Sequence, residues 1–335
     1  MKQQRGKMRV TIPTNLLRHT QYLARKTIHT ISYPIHGKPG DSNISSRSAR
    51  ATQIQLSMQY RAMLAQGMPM PKFRDVEFRE YSQFNEDGIL LYIFSVIGTT
   101  DKKCVEICGG GGLDNTTNLI INHGWNGLFF DGNLRKLRKG QQFYARCVDA
   151  SMHPPKLQHS WVSPENVNEL LERNSYSGEI DLLSLDMDGI DYWVWKDIES
   201  INPRVVVLEY NHALGPELSV TTPNRANFVW KGNKISKQRY QGSKVINTLM
   251  GKEVEDRTDN YYGASLEAFV KLGKQKGYRL VGCESCEINA FFIREDIGEE
   301  ILPEIASTAC FSQPFTQCAV EIRRQTMAKR EWIEV

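Results

Sequence analysis

The sequence predicts an α/β fold built on a doubly wound, mostly parallel sheet. Short apolar stretches, the first four of which end at or near acidic residues or a cysteine, alternate with helix-like segments from about residue 103 onward. These stretches are continuously apolar, as strands covered by helices on both faces must be. After the last predicted helix, two strands follow each other directly. This pattern indicates an antiparallel pair, which a purely parallel nucleotide-binding sheet does not contain. The predicted strands lie at 103–108, 127–131, 145–149, 181–186, 204–210, 279–283 and 289–293.

Residues 1–77 form a basic N-terminal extension ahead of the sheet. Residues 1–74 hold 13 Lys/Arg and one acid, so they carry +12 and leave −8 for the rest of a chain whose net charge is +4. We expect a partly disordered or helical arm, with a short helix over 51–64 that ends before Pro69 and Pro71. Such an arm suits peripheral contact with an anionic membrane surface, whereas the acidic body argues against a nucleic-acid partner.

The folded domain is predicted to begin near residue 78. A helix opens at 82–86, with Ser82 as its cap and acids in its first turn. The strand 103–108 then leads into four glycines, 109–112, which allow the backbone to turn sharply and to approach a ligand because glycine lacks a Cβ. The dinucleotide fingerprint G-x-G-x-x-G fails, since Asp114 or Asn115 stands at the third glycine position, and no phosphate-binding P-loop motif occurs.

Helices are expected after each of the first four strands, and a cap after the fifth. Residues 211–260 are polar and lack a clear period, so we interpret them as an inserted cap or loop. A helical stripe over 265–276 ends at Gly277, and the closing strands complete a domain that spans 78–296. Residues 297–335 are treated as a C-terminal tail. The first four helices are placed near Thr116, Leu134, Pro164 and Tyr192.

Cysteine usage and hydropathy predict the compartment. The chain has seven cysteines without paired zinc spacing, which argues against a disulfide framework and for a reducing environment. The single C-x-x-C at Cys283 and Cys286 is interpreted as two thiols at a strand end. There is no run of 18 or more apolar residues and no signal-peptide core after the basic start. We therefore expect a cytoplasmic protein; no oligomeric state follows from the sequence.

In this order and spacing, the motifs resemble those of class I S-adenosylmethionine-dependent methyltransferases, specifically their FkbM-like group. The glycine run alone is a weak signal, and the ordered set carries the resemblance. It implies a Rossmann-like, seven-stranded sheet whose last strand is antiparallel, S-adenosylmethionine as the cofactor, and O-methylation as the reaction. The motifs lie within residues 81–296, at 82–88, 105–118, 128–132, 181–195, 205–211 and 262–266.

The resemblance also implies a set of cofactor-binding residues. Gly110 and Gly112 match the second and third glycines of the motif, and Cys108 replaces the first. Asp131 is expected to accept hydrogen bonds from both ribose hydroxyls, which suits a carboxylate because it only accepts, and 149–150 to lie beside the adenine amino group. The complete expected set is Gln83, Glu106, Gly110, Gly112, Asn115, Thr116, Asp131, Gly132, Asp149 and Ala150.

A second acidic group follows the fourth and fifth predicted strands. Asp186 and Asp188 come after the fourth strand and Glu209 ends the fifth, so they face one crevice. Transfer of a methyl group to an alcohol requires removal of the hydroxyl proton, for which Asp186, Asp188 and His212 are the candidate catalytic residues. His212 is included because the ordinary histidine pKa lies near neutrality.

The same three carboxylates, Asp186, Asp188 and Glu209, suit Mg²⁺, a hard cation that prefers oxygen ligands and would lower the hydroxyl pKa. The metal is expected to be an optional aid. The expected acceptor is a small molecule or glycan and, as the resemblance implies, a hydroxyl of a sugar or glycoside. Tyr261, Tyr262 and Trp230 in the cap region are candidates for a wall that stacks on the acceptor.

Two alternatives stay open. Residues 182–189 match the apolar strand and D-x-D-G signature of haloacid dehalogenase-type phosphatases, with Asp186 as phosphoryl acceptor and Asp188 as proton donor. That signature normally lies on the first strand, whereas here it lies on the fourth. The other alternative is a non-catalytic scaffold that has the same fold, in which Cys108 marks a lost cofactor site.

Overall fold

The computed structural model describes residues 42–225, 228 and 260–335, without the side chains of 42–48, 325 and 326. The strands of the described part are β1 (Lys103–Ile107), β2 (Asn126–Asp131), β3 (Lys156–His159), β4 (Gly178–Leu185), β5 (Ile201–Glu209), β6 (Val220–Thr221), β7 (Tyr278–Cys283), β8 (Asn289–Arg294) and β9 (Ile333–Glu334). The α-helices are α1 (Ser42–Ala65), α2 (Phe73–Val76), α3 (Glu86–Ile97), α4 (Thr117–His123), α5 (Leu134–Arg146), α6 (Val148–Ser151), α7 (Val167–Arg173), α8 (Asp191–Asp197), α9 (Leu266–Lys276) and α10 (Pro314–Met327). Of residues 1–52, only those from Ser42 onward are described.

Seven strands form one sheet in the order β3-β2-β1-β4-β5-β8-β7. Strands β1 to β5 pair in parallel, and β8 runs antiparallel to both β5 and β7. This arrangement confirms the predicted fold class, a doubly wound, mostly parallel, seven-stranded sheet with an antiparallel last strand. Because β1, β2, β4 and β5 are parallel, their carboxyl ends meet at one edge.

The core lies on both faces of the sheet. Within β1, Val105 and Ile107 pack into one apolar layer while Cys104 packs into the other. All three side chains are fully buried. The helices that cover the two faces leave the central strands no exposed side, which is why those strands are continuously apolar and could be recognised in the sequence.

The third strand was misplaced by the sequence reading. Residues 145–149 are not a strand: 145 and 146 end α5, Cys147 is an extended residue between the helices, and 148 and 149 begin α6. The observed β3, Lys156–His159, pairs with β2 only and is largely exposed. An edge strand of this kind has no need of a continuous apolar run, so the pattern that identified the central strands missed it.

Two helix boundaries also differ from expectation. The first described helix, α1, extends from Ser42 to Ala65 rather than over 51–64. The helix α3 begins at Glu86, with Asn85 rather than Ser82 at its N-cap position. Asp87 explains why the helix begins later than predicted. Its carboxylate accepts hydrogen bonds from the backbone amides of 80, 81 and 82, which bends the chain just before the helix. In the described part of the chain, no helix has the length and apolar character needed to span a membrane.

The C-terminal residues are an integrated part of the domain. Within 297–335, treated above as a tail, α10 packs against the 3₁₀ turn His212–Leu214 that follows β5, and β9 pairs antiparallel with β6. Strand β6 belongs to the predicted cap over 211–260, of which residues 211–225, 228 and 260 are described. The predicted basic arm before Ser42 and the candidate Trp230 lie outside the described residues.

Candidate functional site

The glycine loop leaves β1 with an unusual backbone. Gly110 and Gly112 have φ values of 103° and 90°, and Cys108 has a φ of 68°, in the left-handed region that L side chains rarely adopt. A Cβ at Gly110 would lie 2.8 Å from Leu157, and one at Gly112 would lie 2.6 Å from Phe143. The glycines are therefore required for backbone conformation and for close packing of the loop within the protein, and Cys108 holds a strained position that costs on the order of 1–2 kcal/mol.

The amide groups of the loop are already bound by a side chain. Asp114 accepts a hydrogen bond from the Gly112 amide at 2.8 Å and a longer one from Gly111 at 3.4 Å. A loop of this kind otherwise binds the phosphates of a nucleotide through these amides. Because a buried carboxylate takes their place, the loop is not arranged to bind a phosphate group, in agreement with the missing dinucleotide fingerprint.

Glu106 has a structural position at the end of β1. Its two carboxylate oxygens accept the backbone amides of Asn115 and Thr116, both at 3.0 Å, and the Thr116 hydroxyl. Burial, and then the charge of Asp114, raise the pKa of Glu106 to about 8. Thr116 is fully buried and the Asn115 side chain donates to Ser184. These contacts hold the loop in shape, so the expected direct cofactor contacts of Glu106, Asn115 and Thr116 are not supported.

Asp131 lies where a ribose-binding acid is expected, at the carboxyl end of β2. One oxygen accepts the amide of Asn133 at 2.6 Å, and the other lies 3.0 Å from Nζ of Lys136. The same ammonium group donates to the Cys108 carbonyl at 2.6 Å, and the Lys136 chain passes over Gly111. Lys136, which the sequence reading did not single out, therefore bridges the glycine loop and the acid.

Two further residues beside Asp131 were missed because β3 was misplaced. The His159 ring nitrogen Nε2 lies 3.1 Å from the Gly132 carbonyl. The Trp161 indole lies so close to Gly132 that a Cβ there would be 2.9 Å from it, yet about half of the Trp161 side chain is exposed. A half-exposed aromatic ring beside a carboxylate at the end of a strand is a suitable platform for a flat heterocycle. The prolines at 154 and 155, followed by Trp161, were the available sequence signal.

The remaining expected cofactor residues, Asp149, Ala150 and Gln83, do not lie at the ends of strands. Asp149 and Ala150 lie in α6 rather than at a strand end, and Ala150 is buried in the core. Burial, and then neighbouring charges of which Asp149 is the smallest contributor, raise the pKa of Tyr81, and Tyr81 packs edge-on against Phe143, the residue over Gly112. Gln83, two residues after Tyr81, is exposed. The segment that carries Gln83 thus lies near the glycine loop, with the Gln83 side chain directed to solvent.

The second acidic group is brought together as predicted. Oxygen atoms of Asp186, Asp188 and Glu209 all lie within 4.8 Å of one another. Burial, and then the charge of Asp186 and a hydrogen bond with it, raise the pKa of Glu209 well above its usual range. Glu209 therefore holds a proton more readily than an ordinary glutamate, which reduces the repulsion among the three acids.

A fourth carboxylate fixes the loop that carries these acids. Asp191 accepts the amides of Met187 at 2.7 Å and Gly189 at 3.1 Å, and burial raises its pKa to about 6. Asp188 between them has a φ of 53°. The loop is also held from outside, because the Gly189 carbonyl accepts the Thr222 hydroxyl. The geometry of the acidic group is therefore set by the fold.

His212 differs from the expectation of a near-neutral pKa. It is 9% exposed, and its Nε2 lies 3.5 Å from Nη1 of Arg323 on α10. Burial, and then the Arg323 charge, lower its pKa to about 3. An imidazole with such a pKa is a weak proton acceptor at neutral pH, so the reason for proposing His212 as the base is wrong. The neighbour Tyr262 does face the acids, since burial and the charges of Glu209 and Asp188 raise its pKa well above the usual range.

The two acidic regions lie on either side of the glycine loop. The Cys108 amide donates to the carbonyl of Phe130, the residue before Asp131, at 2.7 Å, and the Asp186 amide donates to the carbonyl of Ile107, the residue before Cys108, at 3.4 Å. Burial, and then the charges of Asp191, Asp131 and Asp186, raise the pKa of the Cys108 thiol. Acids from both regions therefore lie near Cys108 at the carboxyl edge of the sheet.

No protein-family model and no curated protein sequence matches this chain. Solved structures with a similar arrangement include an S-adenosylmethionine-dependent methyltransferase from Clostridium acetobutylicum, with 12% identity, a TM-score of 0.35, and coverage of 61% of this chain and 89% of that one. The N-terminal domain of EvdMO1 with SAH bound has 12% identity, a TM-score of 0.37, and coverage of 62% and 79%. PKMT2 from Rickettsia typhi in complex with AdoHcy has 12% identity, a TM-score of 0.41, and coverage of 67% and 56%. These likenesses are remote.

Proposed function

We propose that this protein is an S-adenosylmethionine-dependent O-methyltransferase of the FkbM-like group that acts on a hydroxyl of a sugar or glycoside. The observation that carries the proposal is the position of the glycine loop between the two acids, since the Cys108 amide donates to Phe130, next to Asp131, and the Asp186 amide donates to Ile107, next to Cys108. One side of the loop offers an acid for a ribose, and the other offers a group of acids that can activate a hydroxyl.

The charge around the glycine loop suits this cofactor. S-adenosylmethionine carries a positively charged sulfonium and a nucleoside without phosphate, and it supplies the methyl group in an in-line displacement. The loop amides are bound by Asp114, so a phosphate-bearing cofactor fits poorly, whereas surrounding carboxylates stabilise a cation. Asp131 would hold the ribose hydroxyls, and Trp161 would support the adenine. For this, Lys136 must leave the Asp131 carboxylate, which a long, 38% exposed side chain can do.

The chemistry on the other side of the loop follows from the proton on Glu209. Glu209 holds a proton more readily than an ordinary glutamate, because burial and the neighbouring Asp186 raise its pKa, and Asp186 beside it is the base that we assign. It would orient the acceptor hydroxyl by accepting its proton while the oxygen attacks the methyl carbon. Asp188 would help to position that hydroxyl.

Mg²⁺ is an optional aid in this proposal. Asp186, Asp188 and Glu209 offer the hard oxygen ligands that it prefers, and a divalent cation would relieve their mutual repulsion. Adding Mg²⁺ after removal of metal with EDTA is expected to raise methyl transfer in the wild type. The Asp188→Asn variant should respond less, and Mn²⁺ binding followed by water-proton relaxation separates loss of the metal from loss of activity.

The acceptor class rests on the resemblance of the motifs and on aromatic side chains beside the acids. Tyr261 packs edge-on against Phe228 and Trp332, at ring distances of 5.7 and 5.1 Å, and Tyr262 faces the carboxylates. Aromatic faces of this kind stack on sugar rings. Methyl glycosides of glucose, rhamnose and fucose are suitable first acceptors, with formation of S-adenosylhomocysteine as the readout.

Isothermal titration with S-adenosylmethionine and S-adenosylhomocysteine tests the cofactor half of the proposal. Binding at about the micromolar level, near −8 kcal/mol, is expected. Absence of binding would contradict the proposal, and hydrolysis of p-nitrophenyl phosphate in its place would favour the phosphatase alternative. Absence of both would favour the non-catalytic scaffold.

A further inference from the structure

The outer side of helix α5 carries a stripe of four basic side chains. All four are exposed: Arg135, Arg138, Lys139 and Arg146. With about 3.6 residues per turn they fall within an arc of about 100°, opposite the buried residues Leu137, Gly140 and Tyr144. Helix α5 contains no acid, and none of the four side chains forms an ion pair with a residue that the structure describes. The stripe therefore presents uncompensated positive charge to the solvent.

Large apolar side chains lie exposed beside this stripe. Leu134, at the beginning of α5, is 42% exposed, Val148 in α6 is 56% exposed, and Met152, directly after α6, is 80% exposed. Val148 and Met152 each lie two residues from Ala150, which is buried, so helical spacing turns both outward. Ala150 packs into the same apolar layer as Tyr144 of α5, so the outer sides of both helices point away from that layer. We call the outer side of α5 and α6, from Leu134 to Met152, the basic face.

The folded domain around the basic face is acidic. Residues 75–335 carry a net charge of −8, although 134–152 within them hold five Lys/Arg and one acid. A negatively charged surface would therefore attract the basic face and repel the remainder of the domain. This distribution of charge would orient the protein on such a surface as well as bind it.

The side chains of the basic face suit a lipid bilayer better than a nucleic acid. Positive charge attracts the phosphates of both. Single-stranded nucleic acids are also bound by exposed aromatic rings on which the bases stack, whereas Tyr144 of α5 is buried and Phe143 packs edge-on against it at 5.1 Å. Aliphatic side chains such as Val148 and Met152 instead enter the boundary between the headgroups and the acyl chains of a bilayer.

We propose that the basic face docks on an anionic lipid bilayer, with the stripe on α5 at the headgroups and with Val148 and Met152 inserted beneath them. Each Lys or Arg near such a surface increases the affinity roughly 5-fold. The contact belongs to the folded domain, so it is separate from any contact made by the basic arm before Ser42, and it does not depend on the proposed methyl transfer.

Co-sedimentation of the full chain with vesicles tests the docking. Vesicles of phosphatidylcholine alone are compared with vesicles that contain about 30% phosphatidylserine, at low salt and at about 0.5 M salt. We expect binding only to the vesicles with phosphatidylserine, weakened by about 10-fold or more at high salt because salt screens the attraction. Equal binding to both kinds of vesicle, or no binding to either, would overturn the proposal.

Paired substitutions at exposed residues locate the contact. Arg138→Gln together with Lys139→Gln should weaken binding by about 10- to 30-fold, at roughly 5-fold for each charge. The matched control is Arg324→Gln together with Lys329→Gln, which removes two exposed charges in and after α10 and should change the affinity by less than about 2-fold. Equal losses in the two double variants, or no loss in the first, would show that another part of the chain binds the vesicles and would overturn the proposal.

The Met152→Asp variant separates a lipid partner from a nucleic acid. It should weaken binding to the phosphatidylserine vesicles by about 5-fold or more, because an inserted apolar side chain is replaced by an acid. Tighter binding to a single-stranded RNA than to the vesicles, with no effect of Met152→Asp, would contradict the proposal in favour of a nucleic acid. Because no methyl donor is present, failure here leaves the proposed methyl transfer untouched.

Discussion

Lys136 and a ribose would compete for the same carboxylate. The Lys136 ammonium lies 3.0 Å from Asp131 and also binds the Cys108 carbonyl, so a nucleoside that binds Asp131 must displace it. The pair is partly exposed, and such pairs contribute only about 0.2–1 kcal/mol. Removal of the Lys136 ammonium group should therefore increase the affinity for a nucleoside by a small amount.

The Lys136→Met variant is expected to bind S-adenosylhomocysteine about 2- to 5-fold more tightly than the wild type, because the partly exposed ion pair between Lys136 and Asp131 no longer has to be broken. Isothermal titration at low salt measures the change, and Lys139→Met on the same helix is the control. Weaker binding in Lys136→Met would mean that the ammonium contacts the cofactor directly.

Asp186 is assigned to the hydroxyl proton and not to the cofactor. Asp186→Asn should therefore bind S-adenosylhomocysteine with unchanged affinity while methyl transfer falls by about 10²- to 10⁴-fold, the usual contribution of general-base catalysis. Titration and single-turnover measurements separate the two effects. Loss of binding together with turnover would place Asp186 in the cofactor site.

The buried His212 predicts a pH dependence of stability. Its pKa is lowered to about 3 in the folded protein, against an ordinary value of about 6.5 when unfolded. The unfolded state therefore binds the extra proton, so the contribution of His212 is complete above pH 6.5 and is lost as the pH falls toward 3, by up to about 1.4 kcal/mol per pH unit. Buried acids with raised pKa values make the protein more stable as the pH falls, which is the opposite effect. The contribution of His212 is therefore found by comparing the wild type with a variant that lacks this histidine.

His212→Gln should lose stability less steeply than the wild type as the pH falls from 6.5 to 4.5. Urea denaturation at several pH values measures the free energy of unfolding of the wild type and of the variant. The difference between the two gives the contribution of His212 to stability at each pH. Parallel curves for the two proteins would show that His212 is accessible to protons in the folded state.

Among the elements, helix α3 and strands β4 and β5 are joined at their far ends by one buried ion pair. Nη1 of Arg204 lies 2.7 Å from Asp181, and the guanidinium also donates to the carbonyls of Ile97 and Gly98 at the end of α3. Asp181 in turn accepts the amides of 100, 101 and 102 before β1. This pair holds in register the strands whose opposite ends form the site.

Arg204→Leu should destabilise the protein by about 3–5 kcal/mol, because it leaves the Asp181 carboxylate buried without its cation. The control is Lys103→Met, which breaks the exposed pair with Asp101 and should cost less than about 1 kcal/mol. Midpoints of urea denaturation measure both changes. Equal effects of the two substitutions would contradict the importance assigned to the buried pair.

The strands that could be predicted are those buried on both faces. Strands β1 and β5 are mainly apolar, and their predicted positions differ from the observed ones by a few residues at most. Strand β3 could not be found in the same way because an edge strand need bury little of its surface. That one error moved the expected adenine contact to 149–150 and hid Trp161, which follows the true strand.

For the molecule as a whole, the order of strands places three of the predicted acids at one edge. Asp131 and Glu209 end parallel strands and Asp186 directly follows one, so their position at the same edge was predictable from the sequence. Lys136 and Arg323 were not predictable, because each comes from a helix whose charged residues alone do not show which of them turns toward the sheet edge. The integrated helix α10 was missed for a related reason, since its partner is the turn after β5 rather than the sheet.

The central claim is that Asp131 binds the ribose of a nucleoside cofactor at this edge, and S-adenosylhomocysteine binding to Asp131→Ala tests it most directly. Loss of hydrogen bonds to a charged acceptor, worth about 3 kcal/mol in total, predicts roughly 100-fold weaker binding. Asp101→Ala, at the opposite edge of the sheet, should bind as the wild type does. Equal affinity of Asp131→Ala and the wild type would contradict the claim.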